Sequence, residues 1–267
     1  NVLNVLNNIE DEATVTFTGN GNNSVTVGDD VDDNATLAFG DGNNVMSVEG
    51  EILGSSASPT SGVSVTFGNG NNTLTVGGVL VDGVFSDTGA SDADGGVENA
   101  TISFGGGTNF MQVDDSVIQS SITFSDGDNN QLIVGGNVQA TSPGTISFGD
   151  GAGNELSIAG NLDGDAVVFG DGAGNEFSVG GNLDNAGSIT AGNGGNTGTI
   201  DGKVATGSQI TLGDAADNLT IGDFTTVSPL VNSSADSSFE GEDSIEDIAT
   251  TIGMGDGDDQ LTLLSAG

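Results

Sequence analysis

Cysteine and histidine are absent, and Lys203 is the only basic side chain among 267 residues. Without cysteine there is neither a disulfide nor a thiolate metal site, while the redox compartment stays open. Without histidine, acid and base catalysis would have to come from two carboxylates in a pocket, as in glycosidases. The lack of any basic patch excludes nucleic acid and anionic membrane surfaces as partners. No run approaches the ~20 apolar residues that a membrane span needs, which argues against membrane insertion. Proline is scarce, at 3 residues, and the apolar fraction is only 34 %. A low apolar fraction fits thin repeating units that each bury a handful of side chains.

What the chain has in abundance is glycine, 47 residues, and acid, 39 Asp and Glu, for a formal charge of -38. Repulsion at this density opposes a compact state unless cations or salt compensate. Disorder is the competing reading of such a composition. The internal repeat argues against it.

Residues 145 to 187 hold two nearly identical units, TISFGDGAGNELSIAGNLDGD and AVVFGDGAGNEFSVGGNLDNAG. Phe148 and Phe169 are their anchors, and the same place is held by Phe17, Phe39, Phe67, Phe104, Phe124, Ala191, Leu212 and Met254. Successive anchors lie 22, 28, 37, 20, 24, 21, 22, 21 and 42 residues apart. A period of this length signals a solenoid. Val15, Leu37, Val65, Ile102, Ile122, Ile146, Val167, Ile189, Ile210 and Ile252 stand two before the anchors, the alternation of a strand with one buried face. A second strand follows seven or eight residues after the anchor, as in Leu156-Ser157-Ile158. A third apolar point comes four residues later, at Val31, Ile52, Leu80, Val117, Val138, Leu162, Leu183 and Val204. One such unit cannot close a core alone, so stacking is obligatory. The pattern predicts an all-β fold, a parallel β-solenoid of about ten coils of roughly 21 residues, forming one domain over residues 1–267.

The chain enters this repeat half a coil early, with Leu3, Val5 and Ile9 matching Val25, Val27 and Val31. A short helix over the same residues is the alternative. Polar insertions at 53–62, 81–98 and 225–248, the last two acidic, read as loops from one corner of the rod, where a glycan or surface partner could bind. The longest of them could also hide a remnant coil or a short acidic helix. The chain opens on Asn1, so either a signal has been removed or the sequence is part of something longer.

The turn after each anchor carries the chemistry. FGNGNNTLTV (67–76) and MGDGDDQLTL (254–263) resemble the RTX, or repeats-in-toxin, nonapeptide of secreted calcium-binding β-rolls. The resemblance implies a β-roll that folds on Ca²⁺ outside the cell. Its Asp position here holds Asn23, Asn44, Asn72, Asn109, Asn130, Asn154, Asn175 and Asn196, with Asp at 217 and 259. Stacked amides would hydrogen-bond along the rod as a ladder; direct metal ligation is the other reading. Two residues after the anchor, Asp41, Asp126, Asp150, Asp171, Asp214 and Asp256 form an acidic row. Like charges ~4.8 Å apart repel by ~0.9 kcal/mol at the dielectric of water and ~3.5 kcal/mol at an effective value of 20. Calcium suits such a row, because carboxylates beside Gly-rich carbonyls offer only oxygen. The candidate Ca²⁺ ligands are this row, Asp128 and Asp258 beside it, and Asp217 and Asp259 at the motif position.

Outward Ser and Thr flank the buried strand residues, as Thr14 and Thr16 or Thr145 and Ser147 do. Such a face fits an ice binder, although exposed strands favour Thr in any case. The sequons Asn34-Ala35-Thr36 and Asn99-Ala100-Thr101 could carry glycans. Neither end shows a cap: Val2, Leu3, Val5, Leu6 and Ile9 enter mid-coil, and Leu261, Leu263 and Leu264 close the last strand. Strand addition between these ends predicts a head-to-tail homopolymer. The function expected is that of a non-enzymatic subunit of a secreted, extracellular fibre, surface layer or biofilm matrix. A monomeric adhesin segment or an ice-binding solenoid is the alternative.

Overall fold

Alternating short apolar and hydroxyl residues, broken every few positions by Gly, Asn or Asp, can form only short strands and tight turns. In the computed structural model that is what they form. The structure describes residues 1–55, 62–77, 79–81, 84–86, 95–140, 144–222 and 250–264. No helix occurs among them, so none is present there to cross a membrane.

Three parallel sheets run the length of the stack. The long sheet has 11 strands, from Val2–Val5 to Gln260–Leu263. The anchor sheet has 10, from Thr14–Phe17 to Thr251–Gly253. The short sheet has 7 two-residue strands, from Val31–Asp32 to Leu183–Asp184. Single bridges extend it to Ile9 and Val204. One coil therefore runs Thr145–Phe148, turn, Glu155–Ile158, turn, Leu162–Asp163, and then rises into Ala166–Phe169. Register is kept throughout, so that Ile146 pairs Val167, Phe148 pairs Phe169 and Leu156 pairs Phe177. The expected half-coil entry is met residue for residue: Leu3 lies against Val25, Val5 against Val27 and Ile9 against Val31.

Two expectations are corrected. Leu80 is not the third apolar point of its coil; Val97 fills that place, between Ile52 and Val117. Leu80 instead pairs with Phe85 in an antiparallel hairpin of Val79–Val81 and Val84–Ser86. The insertion thus falls before the third strand, and Val97–Glu98 belongs to the coil. Spacing misled here because Leu80 stands four residues beyond Val76, as its counterparts do. Leu53 likewise ends a short-sheet strand, Ile52–Leu53, so that the first insertion begins after it. The 225–248 segment lies outside the described residues, as does most of the 53–62 insertion.

Each coil turns about five apolar side chains inward. In one they are Ile146, Phe148, Leu156, Ile158 and Leu162, all buried. The anchors stack as a continuous aromatic column, Phe17, Phe39, Phe67, Phe104, Phe124, Phe148 and Phe169, with centroids 4.7 to 5.2 Å apart. That distance is the strand spacing itself, so every ring rests in offset contact on the next. The column ends where Ala191 replaces the anchor. Phe177, an inward residue of the long sheet, meets Phe169 there at 6.3 Å. Its ring lies over Gly198 of the following coil, and a Cβ at Gly198 would fall within it. A large residue in one column is thus matched by small ones in the next coil, Ala191 and Gly198.

This match gives a direct test. Gly198→Ala should destabilise the fold by about 1–3 kcal/mol through overpacking, measured by denaturant melts. Phe177→Leu in the same chain should recover most of that loss. Additive losses in the double variant would refute the pairing.

Candidate functional site

The turn after the anchor is fixed by backbone contact between coils. A side chain at Gly151 would collide with the Gly127 carbonyl of the coil before it, and Gly70 adopts φ 129°, where other residues are strained. These glycines let successive turns lie flat on one another. The polar side chains between them are consequently held in columns.

The innermost column is the asparagine ladder. Asn23, Asn44, Asn72, Asn109, Asn130, Asn154, Asn175 and Asn196 are all buried. Each Nδ2 donates to the Oδ1 of the next residue in the column. The lengths run 2.7, 2.9, 2.9, 2.9, 3.0, 3.2 and 3.3 Å from Asn23 to Asn196. The same Nδ2 donates within its own turn; Asn72 reaches the Gly68 and Gly70 carbonyls, both at 3.0 Å. The Oδ1 also accepts a backbone N–H, as Asn154 does from Asn130 at 3.0 Å. Of the two readings of these amides, the ladder is the one the structure bears out.

The ladder changes chemistry at its last two steps. Asn196 donates from its backbone N–H and its Nδ2 to Asp217 Oδ1, at 2.7 and 3.0 Å. Asp217 N–H donates to Asp259 Oδ1 at 3.0 Å. A carboxylate has no N–H to return to the carbonyls of its own turn. Asp217 Oδ2 and Asp259 Oδ2 are accordingly buried without a partner. Burial pushes the Asp217 carboxyl up to about 6; the Asn196 hydrogen bonds oppose this and the Asp259 charge adds to it.

The acidic row lies outside this column and is exposed. Its carboxylates are not merely repelling neighbours, because five of the six face a backbone N–H of the next coil. Asp126 Oδ1 accepts Asp150 N–H and Asp150 Oδ1 accepts Asp171 N–H, both at 3.1 Å. Asp171 Oδ1 accepts Asn193 N–H at 3.0 Å, Asp41 Oδ1 accepts Asn69 N–H at 2.8 Å, and Asp214 Oδ1 faces Asp256 N–H at 3.5 Å. Asp128 Oδ1 accepts Ala152 N–H at 2.8 Å in a parallel column. The row spreads its carboxylates one per coil, and among the described residues no three acidic side chains converge as a metal cluster. Of the expected ligands, buried Asp217 and half-buried Asp259 are brought together, each with its Oδ2 out of reach of solvent. Asp258 stays exposed.

Two features escaped the sequence reading. The corner after the long sheet carries its own side-chain ladder: Asn137 Oδ1 accepts Asn161 N–H at 2.8 Å, and Asn182 Oδ1 accepts Lys203 N–H at 2.9 Å. The recurring Gly-Asn of that corner was its signal. Asp165 is the other. It stands four before its anchor, in a column of small residues, with Gly144 before it and Gly187 after it. It is 2 % exposed, and neither carboxyl oxygen has a well-formed hydrogen bond. Burial pushes this carboxyl up to about 6; the Gly144 N–H opposes the shift, and Asp163 adds to it. A carboxylate between two glycines was a visible break in that column.

No family model, curated protein or solved structure matches this chain.

The ladder and the row should respond differently to truncation. Asn130→Ala removes an amide and leaves buried donors and acceptors of two coils unpaired, and should cost at least about 2–3 kcal/mol in denaturant melts. Asp150→Ala, where water can replace the carboxylate, should cost less than about 1 kcal/mol. Equal losses would contradict the assignment of the ladder as the structural column.

Asp165 sets a pH dependence. Below pH 3.8 both folded and unfolded chains hold its proton; from there to about 6 the unfolded chain releases it while the folded chain keeps it. Stability is therefore lost as pH rises across that window, by about 3 kcal/mol. Asp165→Asn should remove this component, seen as the difference between the two pH–stability curves. Parallel curves would show that the carboxyl titrates normally.

Proposed function

We propose that this chain is a structural subunit of an extracellular, calcium-stabilised fibre, surface layer or matrix, and not an enzyme. The observation that carries the calcium reading is the end of the asparagine ladder. There Asp217 Oδ2 and Asp259 Oδ2 are buried and unpartnered, where an amide Nδ2 stands in every earlier coil. A cation in the place of the missing donors would be met by two carboxylates and by turn carbonyls, an all-oxygen set that suits Ca²⁺ and no soft metal. Bound there, it would supply positive charge that two stacked carboxylates otherwise lack. The acidic row would take further cations more loosely, since all but Asp256 already use one oxygen on a backbone N–H.

A formal charge of -38 supports the extracellular and structural parts of the reading. It makes stability depend on cations, which a salt-rich exterior provides, and it disfavours nucleic acid and anionic membranes as partners. End-to-end self-assembly belongs to the same proposal. Val2 and Leu264, at opposite ends of the described stack, are 75 % and 51 % exposed, and Leu6 is 88 % exposed. Leu3, Val5, Leu261 and Leu263 pack on the core from the outermost strands. One copy would add its Val2–Val5 strand to the Gln260–Leu263 strand of the next.

Calcium at a hundredfold its dissociation constant should stabilise the chain by about 2.7 kcal/mol, a rise in thermal midpoint on the order of 5–10 °C. Sodium chloride at matched ionic strength should give much less. Asp217→Asn with Asp259→Asn completes the ladder with amides, so it should stabilise the calcium-free form and lose the calcium response. A full response in that double variant, or equal effects of the two salts, would overturn the site. Micrographs in Ca²⁺ should show filaments longer than one rod, shortened by Leu263→Asp; unchanged filaments would overturn end-to-end joining.

A further inference from the structure

The outer face of the anchor sheet is the place where the composition of the chain is most unevenly distributed. Its strands alternate, with Val65 and Phe67 or Ile122 and Phe124 turned inward. Two rows of residues are thereby turned outward. One runs Thr14, Thr36, Ser64, Thr101, Ser121, Thr145, Ala166, Ser188, Gln209 and Thr251. The other runs Thr16, Ala38, Thr66, Ser103, Thr123, Ser147, Val168, Thr190, Thr211 and Gly253. None is charged, in a chain with 39 acidic residues. The other two sheets do not share this property: Glu155 and Glu176 point outward from the long sheet, and Asp32, Glu98, Asp163 and Asp184 from the short one. The register of the ten strands makes the face continuous.

We propose that this face is a lateral self-association surface whose occupant is a second copy of this chain. Two rods of charge -38 can approach closely only where neither presents carboxylates, and of the three long parallel sheets the anchor sheet is the one that meets this condition. Rows of mostly small side chains on an in-register sheet are also the geometry that interdigitates with a copy of itself. The size is adequate. Ten strands at ~4.8 Å and four residues at ~3.3 Å give about 600 Å² per rod, hence about 1,200 Å² per pair, the lower limit of specific interfaces. The acidic rows at the rim of the face repel across the pair, so association strengthens with salt or divalent cations. This pairing goes beyond end-to-end joining and holds whether or not Ca²⁺ occupies Asp217 and Asp259.

Small-angle scattering separates the two modes, because side-by-side pairing doubles mass per unit length whereas end-to-end joining leaves it unchanged. In a concentration series of the whole chain, in sodium chloride and again in Ca²⁺, mass per unit length should rise twofold. Thr66→Asp with Thr123→Asp should hold it at the single-rod value, and Thr199→Asp on the long sheet should not. A second measurement does not rely on charged variants folding: the chain has no cysteine, so Thr123→Cys should form intermolecular disulfides at least tenfold faster than Thr199→Cys. Single rods at every concentration in both salts, or pairs indifferent to the face variants, would overturn the proposal. So would equal cross-linking at the two positions. Ice shaping by strictly single rods would assign the face to ice instead, and would equally overturn it.

Discussion

Every coil must satisfy the coil beside it at the same position, and the rest of the structure follows from that constraint. In a parallel stack with fixed register, a side chain has its own counterpart, ~4.8 Å away, as its nearest neighbour on either side. A residue type that stacks well on itself is reinforced along the whole rod, and one that does not is penalised at each repeat. Phe does so by offset ring contact, and Asn by having a donor and an acceptor in one planar group. The aromatic column and the asparagine ladder are the apolar and polar solutions of the same problem. They lie on either side of the same turn, which is why that turn is the most uniform part of the chain.

Acid is the residue type that satisfies this constraint worst. A carboxylate accepts but cannot donate, so a column of Asp must find its donors elsewhere. Along the exposed row it finds them in the backbone N–H groups of the next coil, with solvent covering the second oxygen. Inside the ladder one oxygen still accepts a backbone N–H, but no solvent covers the second, and Asp217 and Asp259 keep a buried oxygen without a partner. At Asp165 the neighbours have shrunk to glycine, which provides space but few hydrogen bonds. The three placements grade from an exposed carboxylate shared with backbone N–H groups to buried ones, and burial pushes both Asp165 and Asp217 up to about 6. Among the described residues, most of the other acidic side chains stay in turns and on two of the three outer faces.

Much of this was legible in the sequence because the repeat states the register outright. The anchors Phe17 to Met254 and the residues two before them mark one strand of every coil, and the match of Leu3, Val5 and Ile9 to the following coil places the first half-turn. The asparagine column could be read as a ladder from periodicity alone. What was not legible depended on which side of a loop a residue falls. Leu80 has the spacing of a third-strand residue, yet the insertion separates it from that role and hands it to Val97. Nor does spacing reveal that Asp165 points inward, since its column carries Ala, Val, Ser, Gly and Thr elsewhere and shows no strong apolar signature. The pairing of Phe177 with Gly198 and Ala191 needed coordinates, because it links two columns that periodicity treats separately.

The central claim is that amides complete the ladder through Asn196 and that its last two steps, at Asp217 and Asp259, require a cation. Amide hydrogen exchange reads this residue by residue. The backbone N–H groups of Asn44, Asn72, Asn109, Asn130 and Asn154, each bonded to the next Oδ1, should exchange slowly whether Ca²⁺ is present or chelated. The N–H groups of Asn196 and Asp217 should be protected only when Ca²⁺ is bound. Uniform protection of all seven in a chelator, or a calcium effect spread evenly along the column, would contradict the account.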